Sequence, residues 1–132
     1  MKVINSITIV HSASRNFKEA LDLCIETAKK ENIDVKNILP VNEKGIDKVV
    51  SKKESDLILV IGGDGTMIRT VANLIDHEIP LLGINIGKLG FLTDLNVDSI
   101  SKVLPEVFSG KYQLEERPSL SIQVDDSESL IG

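Results

Sequence analysis

The chain has 132 residues, 42% of them hydrophobic, and a mean hydropathy of +0.07; this is the length of one domain, able to hide roughly 68–70% of its unfolded surface, and too apolar for disorder. A net charge of −5, a pI near 5.0 and only 3% aromatics with no Trp argue against a phosphate-backbone footprint or a base-stacking platform, so no nucleic-acid partner is expected. The single cysteine, Cys24, cannot pair within the chain, Met1 to Val10 is too short and polar for a signal peptide, and no stretch approaches the ~20 apolar residues of a membrane span, so the expected setting is cytoplasmic and free of membrane partners.

Val3 to Val10 is rich in β-branched residues and predicts a first strand. A polar turn, His11 to Ser14, leads to Asn16 and Glu19, spaced like a capping box with Asn as the cap. The helix that follows runs to about Asn32, with Ala20, Leu21, Cys24, Ile25 and Ala28 facing inward. Val35 to Val41 predicts a second strand, and Gly45 precedes a short helix that turns Ile46, Val49 and Val50 inward. Leu57 to Ile61 is an unbroken apolar run with branched residues, too short for a helix, and predicts a strand buried on both faces. Gly62-Gly63-Asp64-Gly65-Thr66 then turns the chain into a helix from Met67 to Ile75. Leu81 to Ile84 is another buried strand, followed by a second glycine-bearing loop from Asn85 to Phe91. Ile100, Val103, Leu104, Val107 and Phe108 have helical spacing interrupted by Pro105, where a kink or early stop is expected; Gly110 ends that element. Leu120, Ile122 and Val124 alternate with polar residues as a half-exposed strand. The polar, acidic run from Asp125 and the abrupt Leu130-Ile131-Gly132 read as a cut.

Strands alternating with helices predict an α/β, Rossmann-like parallel sheet with helices on both faces, ending in a strand that leads toward a further β-rich domain. Residues 1–118 form the α/β unit, and residues 119–132 a first strand and the start of the next domain. Ligands of such sheets bind beyond the carboxyl ends of the strands, where both glycine loops fall.

Glycines between a strand and a helix let the backbone turn sharply and approach a ligand, and N–H groups at a helix start attract phosphate. Asp64 is an acid where phosphate is expected, which suggests a proton acceptor or a metal contact; its bland alternative is a helix cap, for which Thr66 is better placed. Arg69, one turn into the helix, is within reach of a phosphate, against the alternative of a solvated surface residue. Asn85 offers a hydrogen-bonding side chain and Phe91 an apolar surface for a base, against the alternative of a packed turn. His11 and His77 fit no metal or triad spacing, and Cys24 belongs to the core face of its helix.

GGDGTMIRT at 62–70, PLLGINIGKLGFLTDL at 80–95 and GKYQLEERPSL at 110–120 together resemble the NAD kinases, within the phosphofructokinase-like and diacylglycerol-kinase-like group. GGDGT alone fits lipid kinases as well; the second segment separates the two. The resemblance implies a transferase of NADP biosynthesis: a kinase that uses ATP or polyphosphate with Mg²⁺ (or another divalent metal) to phosphorylate the 2′-hydroxyl of the adenosine ribose of NAD. Asp64 matches the family's proton acceptor, Asp64 and Gly65 its NAD-contacting pair, Arg69 a position often basic, and Phe91 an aromatic of the nucleotide pocket. Gly63, Thr66 and Asn85 complete the nucleotide-binding set, and no residue is assigned as a metal ligand. The position three after Arg69, often basic in relatives, is Ala72. The family's Asn-Glu or Asn-Asp pair and its Thr-Gly-Ser-rich segment have no match here, so the chain corresponds to the family's N-terminal half. Weak or no turnover is expected of it alone, and a homo-oligomer is expected of the full-length protein. The residues also fit a lipid or sugar kinase fragment of the same group, or a non-catalytic nucleotide-binding module.

Overall fold

The computed structural model describes residues 3–13, 15–44, 46, 55–74, 79–86, 95–115 and 121–123. In chain order these form β1 (Ser6–His11), a 3-10 turn (Arg15–Phe17), α1 (Lys18–Lys30), β2 (Asp34–Pro40), β3 (Leu57–Gly62), α2 (Asp64–Leu74), β4 (Leu81–Asn85), β5 (Leu95–Asn96), a second 3-10 turn (Val97–Ser99), α3 (Ile100–Phe108), β6 (Gln113–Glu115) and β7 (Ser121–Gln123). The strands make one sheet in the order β2-β1-β3-β4-β7-β6, with β5 beside β4. Every pairing is parallel except β6 with β7. The expected α/β parallel sheet is therefore present, with an antiparallel strand on its far side.

The period-two alternation of strand side chains sorts the core into two layers. Ile7, Ile9, Leu57, Leu59, Ile61, Leu82 and Ile84 point to one face and pack with Ala20, Cys24 and Ala28 of α1 and Ile100, Val103, Leu104 and Val107 of α3. Val10, Ile58, Val60 and Leu81 point to the other and pack with Met67 of α2, Val41, Ile46 and Ile79. All six residues of β3 are buried, which is why it reads as a continuous apolar run. At about 1.5–3 kcal/mol for each fully buried aliphatic side chain, β3 is a main contributor to the hydrophobic stabilisation. Its amino end is pinned beside β1: the Thr8 and Ser55 hydroxyls lie 2.6 Å apart, and the Asn5 N–H donates to Asp56 Oδ2 at 2.9 Å.

Several expected boundaries move. β1 begins at Ser6 because the Ile4 N–H donates to the Phe108 carbonyl at 2.9 Å, drawing Ile4 under α3 and out of the ladder. Asn16 does not cap α1: it lies in the 3-10 turn, and Phe17 takes the N-cap position with no side-chain cap bond. α1 ends where predicted, in a Schellman motif. Asn32 adopts φ 58°, its N–H donates to the Lys29 carbonyl at 3.3 Å, and the Ile33 N–H donates to that of Ala28 at 2.8 Å. Pro105 does not stop α3, which continues to Phe108. The carbonyl that Pro105 leaves without an i+4 donor is that of Ser101, an exposed residue whose carbonyl water can satisfy. Gly110 ends the element with φ 93°. Of the predicted short helix after Gly45, Ile46 is helical and buried, and the rest lies outside the described residues.

β2 lies at one end of the strand order. Its register with β1 slips between Ile7↔Val35 and Thr8↔Asn37, which makes Lys36 the extra residue of a bulge. Lys36 Nζ reaches back to Asp34 Oδ2 at 2.8 Å.

Candidate functional site

From β1 the chain moves to β2 on one side, and from β3 it moves to β4 on the other. The point of reversal lies between β1 and β3, where an open parallel sheet leaves a crevice at its carboxyl end. Backbone hydrogen bonds tie the strand ends around that crevice. The Val41 N–H donates to the His11 carbonyl at 2.8 Å, Ser12 N–H to Ile61 at 2.8 Å, and Ile86 N–H to Gly62 at 3.2 Å. A cleft of about 470 Å³ opens there, within the range of small-molecule sites. Gly62, Gly63, Gly65, Thr66 and Arg69 form one wall and Ser12, Ala13 and Asn16 the other, with Val41, Asn85 and Ile86 completing the lining.

The glycine wall is built by steric necessity at its first residue. A Cβ on Gly62 would overlap Oγ1 of Thr66 and lie 2.5 Å from its Cβ and 2.9 Å from its Cγ2. Thr66 is thus packed back over the end of β3 and is not the helix cap. α2 begins at Asp64, the Met67 N–H donates to the Gly63 carbonyl at 3.1 Å, and Gly63 occupies the cap position. Gly63 and Gly65 have nothing within 4 Å of an added Cβ, and none of the three glycines has a left-handed φ. What Gly63 and Gly65 leave is open space beside the first N–H groups of α2, where a helix supplies unpaired donors and the positive end of its dipole.

Asp64 stands at the first position of α2, half-buried, between two residues that line the cleft. It is itself outside the lining set and engages a neighbouring group. Arg69 is exposed and contributes a cation to the glycine wall; Asn85 is buried at the end of β4, paired in register with Gly62. The fold therefore gathers Gly63, Gly65, Thr66, Arg69 and Asn85 at one cleft with Asp64 beside it, while Phe91 lies outside the described residues. Ser12, Ala13, Asn16, Val41 and Ile86 were not foreseen as lining. The signal was available: each follows or ends a parallel strand at the end of the sheet where the glycine corner lies. Among the described residues no group of three or more His, Cys, Asp or Glu side chains could hold a metal ion, and no helix is long and apolar enough to cross a membrane.

Residues 6–112 match the model of the ATP-NAD kinase N-terminal domain. The chain belongs to the NAD kinase family. Its relatives include the NAD kinase of Clostridium kluyveri, 34% identical over 113 residues, covering 86% of this chain and 40% of the relative. The NAD kinase of Thiobacillus denitrificans is 49% identical over 71 residues, 54% of this chain and 24% of the relative. That of Methanothermobacter thermautotrophicus is 43% identical over 77 residues, 58% and 27%. The matched regions span 24–40% of the length of these relatives. Among solved structures, a flavodoxin from the domain Archaea aligns over 94% of this chain and 88% of its own, at 16% identity and a TM-score of 0.45, a distant likeness without functional weight. The matched range includes GGDGT at 62–66, which ends β3 and opens α2 at the corner that walls the cleft.

Proposed function

We infer that this chain is the glycine-loop part of an NAD kinase, contributing to transfer of a phosphoryl group from ATP or polyphosphate to the 2′-hydroxyl of the adenosine ribose of NAD, giving NADP. One observation carries the reading: the family match over residues 6–112 includes a glycine corner that walls a cleft at the reversal point of the sheet. Phosphoryl transfer needs positioning and charge neutralisation more than covalent help from the protein. The first N–H groups of α2, reachable because Gly63 and Gly65 carry no side chains, are suited to nucleotide oxygens, and Thr66 and Asn85 to hydrogen bonding. Arg69 offsets phosphate charge. Asp64 accepts the proton of the ribose 2′-hydroxyl as its oxygen attacks phosphorus and the bond to the leaving phosphate breaks. For that its carboxylate must come within about 2.6–3.2 Å of the hydroxyl, a contact that often tightens only when substrate is bound. Phe91 is assigned the base-facing role by resemblance to the family.

With Asp64 as the carboxylate at the corner among the described residues, these residues fit a divalent ion carried mainly by the nucleotide's own phosphates, as magnesium usually is. Such an ion would supply charge neutralisation at the phosphates. Cytoplasmic location and a homo-oligomeric full-length protein belong to the same reading.

The test is a titration of NAD, and separately of ATP, into the ¹⁵N-labelled chain. Amide signals of Gly63, Gly65, Thr66 and Ile86 should move first, and those at the amino ends of β1 and β3 should stay. Signals that stay fixed at the glycine corner at saturating nucleotide would overturn the assignment of this cleft. In a protein carrying the remainder of the family's length, Asp64→Asn should retain nucleotide binding and lose NADP formation.

A further inference from the structure

The wall opposite the glycine corner is organised by two rings that the proposed chemistry does not use. His11 ends β1, and its Nδ1 lies 2.8 Å from the carbonyl oxygen of Ser12. A carbonyl only accepts, so Nδ1 carries the proton in that contact. The imidazole lies on the ring of Phe17, with centroids 3.9 Å apart and planes 14° from parallel. Phe17 is the residue before α1 and also packs against the main core. Between the two rings in sequence lie Ser12, Ala13 and Asn16, which line the cleft. The start of α1 lacks the side-chain cap that would ordinarily fix such an entry. The stacked rings bracket these residues, while the Ser12 N–H holds the first of them to Ile61.

The geometry points to His11 and Phe17 as positioning residues, whose stacked rings hold Ser12, Ala13 and Asn16 as a preformed wall so that a nucleotide meets Asn16 without first having to order it. This rests on the reading of the cleft as a nucleotide site. Ordering a loop on binding lowers affinity, and a wall set in advance avoids that loss.

Three variants test the clasp. Phe17→Leu keeps an apolar contact with the core but removes the ring, Phe17→Tyr keeps the ring, and His11→Ala removes the other half. Each is compared with wild type for NAD and ATP affinity by calorimetry, and for amide hydrogen exchange. Phe17→Leu and His11→Ala should each weaken nucleotide binding roughly 3- to 10-fold, the range expected for one aromatic stack. Both should speed exchange at Ala13, Arg15 and Asn16 while leaving Gly63 and Gly65 unchanged. Combining them should cost no more than either alone, and Phe17→Tyr should retain wild-type affinity. Wild-type affinity in Phe17→Leu, or additive losses in the combined variant, overturns the clasp. If wild type binds neither nucleotide, the site reading fails instead, and the exchange comparison alone decides the clasp: unchanged exchange at Ala13, Arg15 and Asn16 refutes it.

Discussion

Gly62 and its neighbours allow steric and ligand-driven demands for glycine to be separated. In Gly62→Ala the new methyl meets Oγ1, Cβ and Cγ2 of Thr66, with the Cβ contact at 2.5 Å. Rotating the threonine about χ1 moves Oγ1 and Cγ2 but not Cβ, so relief requires α2 to shift away from β3. Overpacking of this kind costs typically 1–3 kcal/mol, and the rigid partner puts this case near ~3. Alanine restricts the unfolded chain and returns ~0.4–1 kcal/mol. The net loss is about 2 kcal/mol, which for a domain of this length lowers the melting temperature by roughly 6–10 °C. Gly63→Ala and Gly65→Ala meet nothing within 4 Å and should melt within a few degrees of wild type, with Gly65→Ala gaining slightly inside α2. Thermal melts followed by far-ultraviolet circular dichroism provide the comparison. A Thr66→Gly background should abolish the cost of Gly62→Ala, whereas Thr66→Ala should not, because the Cβ overlap persists. Should Gly62→Ala melt with wild type, or Gly63→Ala fall as far, the steric account of the corner is wrong. Loss of nucleotide binding by Gly63→Ala or Gly65→Ala without loss of stability identifies those glycines as openings for a ligand.

Asn32 holds a left-handed conformation at the end of α1; Asn32→Ala should cost about 1 kcal/mol in denaturant melts, and Asn32→Gly should match or exceed wild type. Burial pushes the Cys24 thiol up from 9.0 to about 12, so the native protein should resist thiol reagents at neutral pH and react on unfolding. A thiol whose folded value is raised favours the folded state while it holds its proton. Stability should therefore be insensitive to Cys24 below pH 9 and decline between pH 9 and about 12, a decline that Cys24→Ala removes.

The sheet and its two-layer core were legible because β1, β3 and β4 are dominated by buried aliphatics that pair with one another, and because α1, α2 and α3 carry helical spacing. Local capping rules failed at Asn16 and Thr66 for a shared reason. Each was judged from its own neighbours, while the fold used Asn16 to line a cleft and Thr66 to cover the end of β3. Pro105 misled because its energetic penalty depends on whether the deserted carbonyl meets water, and Ser101 is exposed. The two-residue β5 and the three-residue β6 are too short to carry a period and are defined by their pairing with the neighbouring strands β4 and β7. The glycine wall was visible as a motif. The opposite wall was marked by position alone: Ser12, Ala13 and Asn16 carry no motif, yet they follow the carboxyl end of a parallel strand, where such sheets bind ligands.

The slipped register at Lys36 bears on how copies of this chain can meet. A neighbour docking along β2 to extend the sheet would confront a bent ladder, a lysine–aspartate pair beside the bend, and a proline without an amide at the strand's end. The outer margin of this sheet is thereby blunted against strand-by-strand extension by another chain.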